Sequence, residues 1–180
     1  MIKYVAFLRG INLGSHKQIK MADLKRICES LGLKSVKTYI LSGNVLFESE
    51  EAKPEVLRTK IEAGLNKALG YQVDVILRTV AQLKALEKLD PFKKVKGDAD
   101  VKKYVTFLSE KHQSKLSVPF ISPKQDWQII RLEPREVFVV AFPVKGRYGE
   151  SMGLIEKEFG KMVTTRNWNT VIKILALAGE

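Results

Sequence analysis

The chain has 180 residues, 31 Lys and Arg against 20 Asp and Glu, a formal net charge of +11 at pH 7 and a single cysteine. One cysteine excludes an internal disulfide, no apolar run reaches the roughly 20 residues of a membrane-spanning helix, and Met1–Leu8 is too short for a secretory signal. The expectation is a cytoplasmic protein without a membrane partner, long enough to bury about 70% of its unfolded surface in one domain or two small ones. The basic excess is spread over both halves of the chain. It favours anionic partners in general and is equally the mark of a lysine-rich solvated surface.

Tyr4–Leu8 reads as a buried strand, followed by a long polar connection from Arg9 to Lys20. Met21, Leu24, Ile27, Cys28 and Leu31 then recur at helical spacing, with Gly32 placed to end the helix. Val36–Leu41 and Val45–Phe47 read as strands around the hairpin turn Ser42-Gly43-Asn44. Pro54 opens a second helix that carries Val56, Leu57, Ile61 and Leu65 to Gly70. Val73–Leu77 is the next strand, and Val80, Leu83 and Leu86 mark a short helix. This βαββαβ order is that of a ferredoxin-like unit. Asp90-Pro91-Phe92-Lys93-Lys94 through Asp100 is polar and reads as a junction.

The second half repeats the scheme. Tyr104–Leu108 is a strand, a helix is expected near Lys111–Leu116, and the strands Trp127–Leu132 and Val137–Phe142 flank Glu133-Pro134-Arg135. A helix with Met152, Ile155 and Phe159, a strand at Met162–Thr164 and a final helix from Asn167 to Leu177 follow, with Thr164 or Thr165 as N-cap. The repeat reaches the residues. Lys3-Tyr4-Val5-Ala6-Phe7-Leu8 returns as Lys103-Tyr104-Val105-Thr106-Phe107-Leu108, Asn44-Val45-Leu46-Phe47 lines up with Glu136-Val137-Phe138-Val139, and Arg78 with Arg166. The expected fold is therefore α+β: an internal duplication of two ferredoxin-like subdomains, residues 1–90 and 91–180, with mainly antiparallel sheets and a C-terminal helix. Several strands do not alternate between apolar and polar, so each sheet is expected to be buried on both faces, the second face by the sister half. That argues against an RNA-recognition-motif reading, which needs an open aromatic face.

Scaffold should repeat and an active surface need not, so the divergent segments are where a site is sought. The loop Arg9–Lys20 is much longer than its counterpart, and Arg166-Asn167-Trp168-Asn169-Thr170 replaces the plainer Arg78-Thr79-Val80-Ala81-Gln82. In a sheet of order 4-1-3-2, Arg9, Gly10 and Asn12 should lie beside Ser42, Gly43 and Asn44. The start of the Met21 helix should face the same space, with Lys17 and Lys20 just before it. Free N–H groups at a helix start, glycines and cations suit an anion. A loop that needs its glycines for turning and its asparagines for pinning would look the same. Trp168, Val171, Ile172 and Leu175 form an apolar stripe with Trp168 as a core anchor, and Arg166, Asn169, Thr170 and Lys173 the opposite stripe.

Other chemistries find little support. Gly10 to Gly14 followed by Lys17 matches neither a Walker A loop nor a dinucleotide fingerprint. His16, His112 and Cys28 stand at no metal-ligand spacing, and Cys28 lies on an apolar stripe where a thiol is inert. No nucleophile motif supports a triad of Ser42 and His16, and no carboxylate pair sits in an apolar context. Neither a metal nor a cofactor is expected.

Leu8-Arg9-Gly10-Ile11-Asn12, Lys20-Met21 with Leu24, Thr38-Tyr39-Ile40 with Ser42-Gly43-Asn44-Val45, and Thr165-Arg166-Asn167-Trp168-Asn169-Thr170-Val171 together resemble the signature of the uncharacterised bacterial family known as domain of unknown function 1697. Ser15 stands where the family pattern often has a second glycine. The resemblance implies an α+β fold of two related subdomains and implies no activity.

The expected function is binding of a phosphate-bearing anion, a nucleotide or nucleic acid, at Arg9, Gly10, Asn12, Lys20, Ser42, Gly43 and Asn44, joined by Arg166, Asn167 and Asn169 if the two copies bring them together. The alternatives are a small-molecule enzyme with its site between the subdomains, marked by a deep pocket with a titratable group of shifted pKa, and a protein-interaction module, marked by an exposed apolar patch at the same edge. Sequence gives neither a catalytic residue nor an oligomeric state.

Overall fold

A computed structural model describes residues 1–12, 18–95 and 100–179. The chain divides into two compact units. The first comprises Met1–Ala85 with the chain from Ile174 onward, and the second Leu86–Lys173.

The first unit contains β1 (Ile2–Arg9), α1 (Met21–Ser30), β2 (Lys34–Tyr39), β3 (Asn44–Ser49), α2 (Pro54–Leu69), β4 (Asp74–Thr79) and the start of α3 (Val80–Leu89). Its strands form one antiparallel sheet in the order β2-β3-β1-β4. Apolar spacing explains the helices. Leu57, Ile61 and Leu65 recur every fourth residue on α2 and are buried with Leu24 and Cys28 of α1 against Tyr4, Ala6 and Leu8 of β1. Each such aliphatic side chain contributes about 1.5–3 kcal/mol by leaving water. Pro54 supplies the first turn of α2, and the Gly70 N–H closes the last by donating to Asn66 O at 2.8 Å. Thr79 and Gln82 cap α3 reciprocally: Gln82 N–H donates to Thr79 Oγ1 (3.1 Å) and Thr79 N–H to Gln82 Oε1 (2.9 Å).

The other face of this sheet is also buried. Val5, Phe7, Leu46 and Ile76 alternate with the first set and are all buried. Beside them Lys3 Nζ donates to Ala178 O (2.8 Å) and Lys37 Nζ to Leu177 O (3.1 Å), two cations on the carbonyl end of the C-terminal helix, where its dipole favours them.

The second unit holds β5 (Lys102–Leu108), β6 (Phe120–Ile121), β7 (Trp127–Glu133), β8 (Glu136–Ala141), the hairpin β9 (Pro143–Val144) and β10 (Arg147–Tyr148), α4 (Met152–Phe159), β11 (Val163–Asn167) and α5 (Trp168–Gly179), whose end belongs to the first unit. Its main sheet is antiparallel, in the order β11-β5-β8-β7-β6. Trp127, Ile129, Val137, Val139 and Ala141 pack on Ile155 of α4. On the opposite face Phe92, Phe138 and Trp168 make an aromatic cluster with ring centroids 5.5–5.9 Å apart.

Four sequence expectations change. No helix forms at Lys111–Leu116, because side chains take the backbone donors a helix would use. His112 Nδ1 accepts from Ser114 N–H (3.2 Å) and Ser114 Oγ from Leu116 N–H (3.0 Å). Thr164 and Thr165 lie in β11 and cap nothing; Asn167 Oδ1 caps α5 by accepting from Asn169 N–H at 2.9 Å. Arg166 is a buried strand residue and not part of a solvated helical stripe. The segment expected as a junction is anchored over residues 90–95, where Lys93 N–H donates to Asp90 O (3.1 Å) and Val95 N–H to Phe92 O (2.9 Å) around the buried Phe92 ring.

Candidate functional site

The exit of β1 and the β2–β3 turn come together. Leu8 N–H donates to Gly43 O at 2.8 Å. Asn12, with a left-handed backbone (φ 52°), ties three segments: its Nδ2 donates to Leu41 O (2.8 Å) and its Oδ1 accepts from Ile19 N–H (2.7 Å). Arg9, Gly10, Asn12, Ser42, Gly43 and Asn44 therefore surround one edge, and the lead-in to α1 is held there too. Lys20 is exposed in the N-cap position of α1, and among the described residues no side chain caps that helix start. Leu13, Gly14, Ser15, His16 and Lys17 lie outside the described residues.

The predicted residues separate by what they touch. Asn44 is buried, and its Nδ2 donates to Tyr39 O (2.9 Å) and Ser42 Oγ (3.1 Å), so its amide shapes the turn. Gly43 is left-handed (φ 77°), and a Cβ there would lie 2.5 Å from Ile11 Cδ1 and 2.9 Å from Leu8 Cβ. Its missing side chain makes room for the core. At Gly10 (φ 74°) no described atom lies within 4 Å of where a Cβ would be. Arg9 is half-buried with Nη1 3.4 Å from Asp74 Oδ2. Beside this edge Ile40 and Leu41 expose 46% and 66% of their surface, Ile40 with a positive φ of 50° that a β-branched residue rarely adopts.

Arg166, Asn167 and Asn169 belong to the second unit, at the β11–α5 junction. Arg166 Nη1 donates to Thr164 Oγ1 (2.7 Å) and Thr165 O (2.9 Å), and burial draws its guanidinium down to about 10. Asn167 is spent as the cap, and Asn169 is exposed.

Sequence reasoning passed over a second place. A cavity of about 570 Å³ in the second unit is lined by Gln128, Ile130 and Arg131 of β7, Val140 of β8 and the turn carrying Lys93 and Lys94. The legible signal was Pro91-Phe92, an apolar pair inside a lysine-rich run. Tyr4, Cys28, Tyr71, Tyr104 and Arg166 have shifted pKa values, and none of them lines this cavity. Among the described residues no three His, Cys, Asp or Glu side chains gather as metal ligands, and no helix is long and apolar enough to cross a membrane.

Residues 1–138 match the model of the family described as "Protein of unknown function (DUF1697)". The chain belongs to that family. The matched stretch includes every predicted residue of the β1 edge and ends before Thr165–Val171. A solved structure of the conserved bacterial protein SP0830 from Streptococcus pneumoniae is similar over 98% of both chains, with a TM-score of 0.70 and 22% identity, a likeness of fold. A comparison with the curated proteins finds no match.

Cys28 gives a first prediction for this DUF1697 protein. Its thiol is buried on α1, and burial, then the Glu29 carboxylate, pushes it up to about 12. Iodoacetamide at pH 8 should leave native Cys28 unmodified and alkylate it readily in urea; equal rates in both would contradict its burial. Because the folded-state value lies above that of the unfolded thiol, its contribution to stability is complete below about pH 9 and is lost as pH rises toward 12.

Proposed function

We propose that this protein binds a phosphate-bearing anion, a nucleotide or a nucleic acid phosphate, at the β1 edge. The observation that carries the reading is the start of α1, which no described side chain caps and which is tied through Asn12 to the Arg9–Gly10 turn. Open helix N–H groups and the positive end of the helix dipole attract an anion. Arg9 and Lys20 add charge, Gly10 admits close backbone approach, and Ser42 is exposed beside them. Asn12, Gly43 and Asn44 hold the shape. Arg166, Asn167 and Asn169 are left out, since Arg166 is buried and Asn167 caps α5.

The two units are, in this reading, copies of one ferredoxin-like unit of which only the first keeps the helix after its first strand; in the second, residues 109–119 lead from β5 to β6 without one. Matching registers support it: Val5 faces Arg78 as Val105 faces Arg166, and Phe7 faces Asn44 as Phe107 faces Glu136.

A thermal-shift screen against nucleotides, sugar phosphates and short RNA and DNA, at low and high salt, tests the site. A ligand at about 100 times its Kd stabilises by about 2.7 kcal/mol. Arg9→Ala should abolish that shift, and Asp74→Asn, which releases Arg9 from its carboxylate, should enlarge it. No shift with any phosphate compound overturns the reading. A second reading, a protein-interaction edge, is favoured by the exposure of Ile40 and Leu41.

A further inference from the structure

The cavity of the second unit has the construction of a ligand site. Its volume of about 570 Å³ falls within the several hundred Å³ usual for pockets that hold small organic molecules. Its lining is mostly apolar. Val140 of β8 lies directly opposite Gln128 of β7, with Phe142 just beyond, and Pro119 and Val95 stand at the sides. Among the described residues its rim carries Lys93, Lys94 and Arg131 against the one carboxylate of Asp90.

Two features fix these groups in place. The first is a shift of strand register between Ile129 and Arg131. Consecutive strand residues normally point to opposite faces, yet Ile130 and Arg131 both line this cavity, and an irregularity of this kind is how a strand re-aims a side chain. The second is Phe92. Its ring is buried between Phe138 and Trp168, so the turn bearing Lys93 and Lys94 is anchored from below, and the lysines themselves remain exposed. Arg131 is paired with Glu133, Nη2 to Oε1 at 2.7 Å, which orients its guanidinium and offsets part of its charge. Among the described residues the two lysines are therefore the main source of positive potential.

We infer that this cavity binds a compact organic anion with an apolar body, a medium-chain or aromatic carboxylate or monophosphate, with the body on Ile130, Val140 and Phe142 and the anionic head toward Lys93 and Lys94. This site is independent of the β1 edge: its residues all belong to the second unit, and Arg9→Ala should leave it untouched.

The test is an amide-NMR titration of the ¹⁵N-labelled full chain with octanoate, phenyl phosphate, 1-octanol and inorganic phosphate. Octanoate or phenyl phosphate should shift the amides around Gln128, Ile130 and Val140, and which one binds tighter tells an aliphatic carboxylate from an aromatic phosphate. Octanol and inorganic phosphate should bind more weakly, each lacking one half of the recognition. The double variant Lys93→Glu/Lys94→Glu changes only exposed side chains, so its spectrum should remain that of a folded protein while affinity for the anion falls by roughly tenfold or more. Absence of shifts at these amides with both organic anions overturns the proposal. So does octanol binding as tightly as octanoate, or the double variant binding as tightly as the wild type.

Discussion

Gly43→Ala should destabilise the protein by about 2–5 kcal/mol, combining the cost of an L side chain in the left-handed region with that of overpacking. At φ 77° any Cβ is strained. This Cβ would also meet Ile11 Cγ1 and Leu8 Cβ, each at 2.9 Å, and Leu8 Cβ is fixed by the backbone of β1. The damage cannot be absorbed by a rotamer change alone. Relief requires moving the turn, and that stretches the Leu8 N–H to Gly43 O bond that joins the turn to the exit of β1. Gly10→Ala is the control. It has nearly the same φ, and no described atom lies within 4 Å of the new methyl, so it should lose only about 1–2 kcal/mol of backbone strain. Urea denaturation of the two variants separates the effects. Equal losses would mean that Gly43 is held by its conformation alone and that Ile11 gives way.

That pair of glycines also marks where the sequence stops being informative. Both read as backbone that could approach a ligand, and only neighbours distant in the chain separate them: Ile11 and Leu8 fill the space beside Gly43, and no described residue fills it beside Gly10. The same holds for the asparagines. Asn12 and Asn44 stood out as candidate ligands, but their partners are the carbonyls of Leu41 and Tyr39, which no spacing reveals. The order of the first sheet was legible because the apolar periods of α1 and α2 are long and end at clear stops. In the second unit the weak period of Lys111–Leu116 misled, since a local network of serine and histidine side chains outcompeted the helix. Arg166 misled for another reason: a cation just before a helix reads as solvated, and only the pairing of β11 with β5 buries it. Of the cavity only the apolar pair Pro91-Phe92 was legible, because the rest depends on a register shift in β7 and on a phenylalanine reaching back from a segment whose lysines read as a junction.

Phe92 is where stability and that cavity meet, and Phe92→Ala should cost the second unit about 3–5 kcal/mol, the usual loss for a buried aromatic truncated to a methyl. Phe92 is 4% exposed, and its ring lies 5.8 Å from Phe138 in an edge arrangement and 5.5 Å from Trp168. Both partners would face a void that the sheet cannot close, since Phe138 sits in β8 between β5 and β7. Unfolding followed by tryptophan fluorescence is the natural measurement, because Trp168 touches the lost ring. Stability alone does not separate packing from placement, so the second readout is octanoate affinity under conditions where the variant remains folded. Lys93 and Lys94 are intact in Phe92→Ala, but the ring that anchors their turn is gone. Affinity should therefore fall although no residue lining the cavity has changed. Phe92→Leu, which keeps an apolar anchor of smaller volume, should recover part of both losses. A Phe92→Ala protein that loses stability but binds octanoate with unchanged affinity would show that the lysines find their place without the aromatic cluster, and would leave the register shift of β7 as the feature that builds the site.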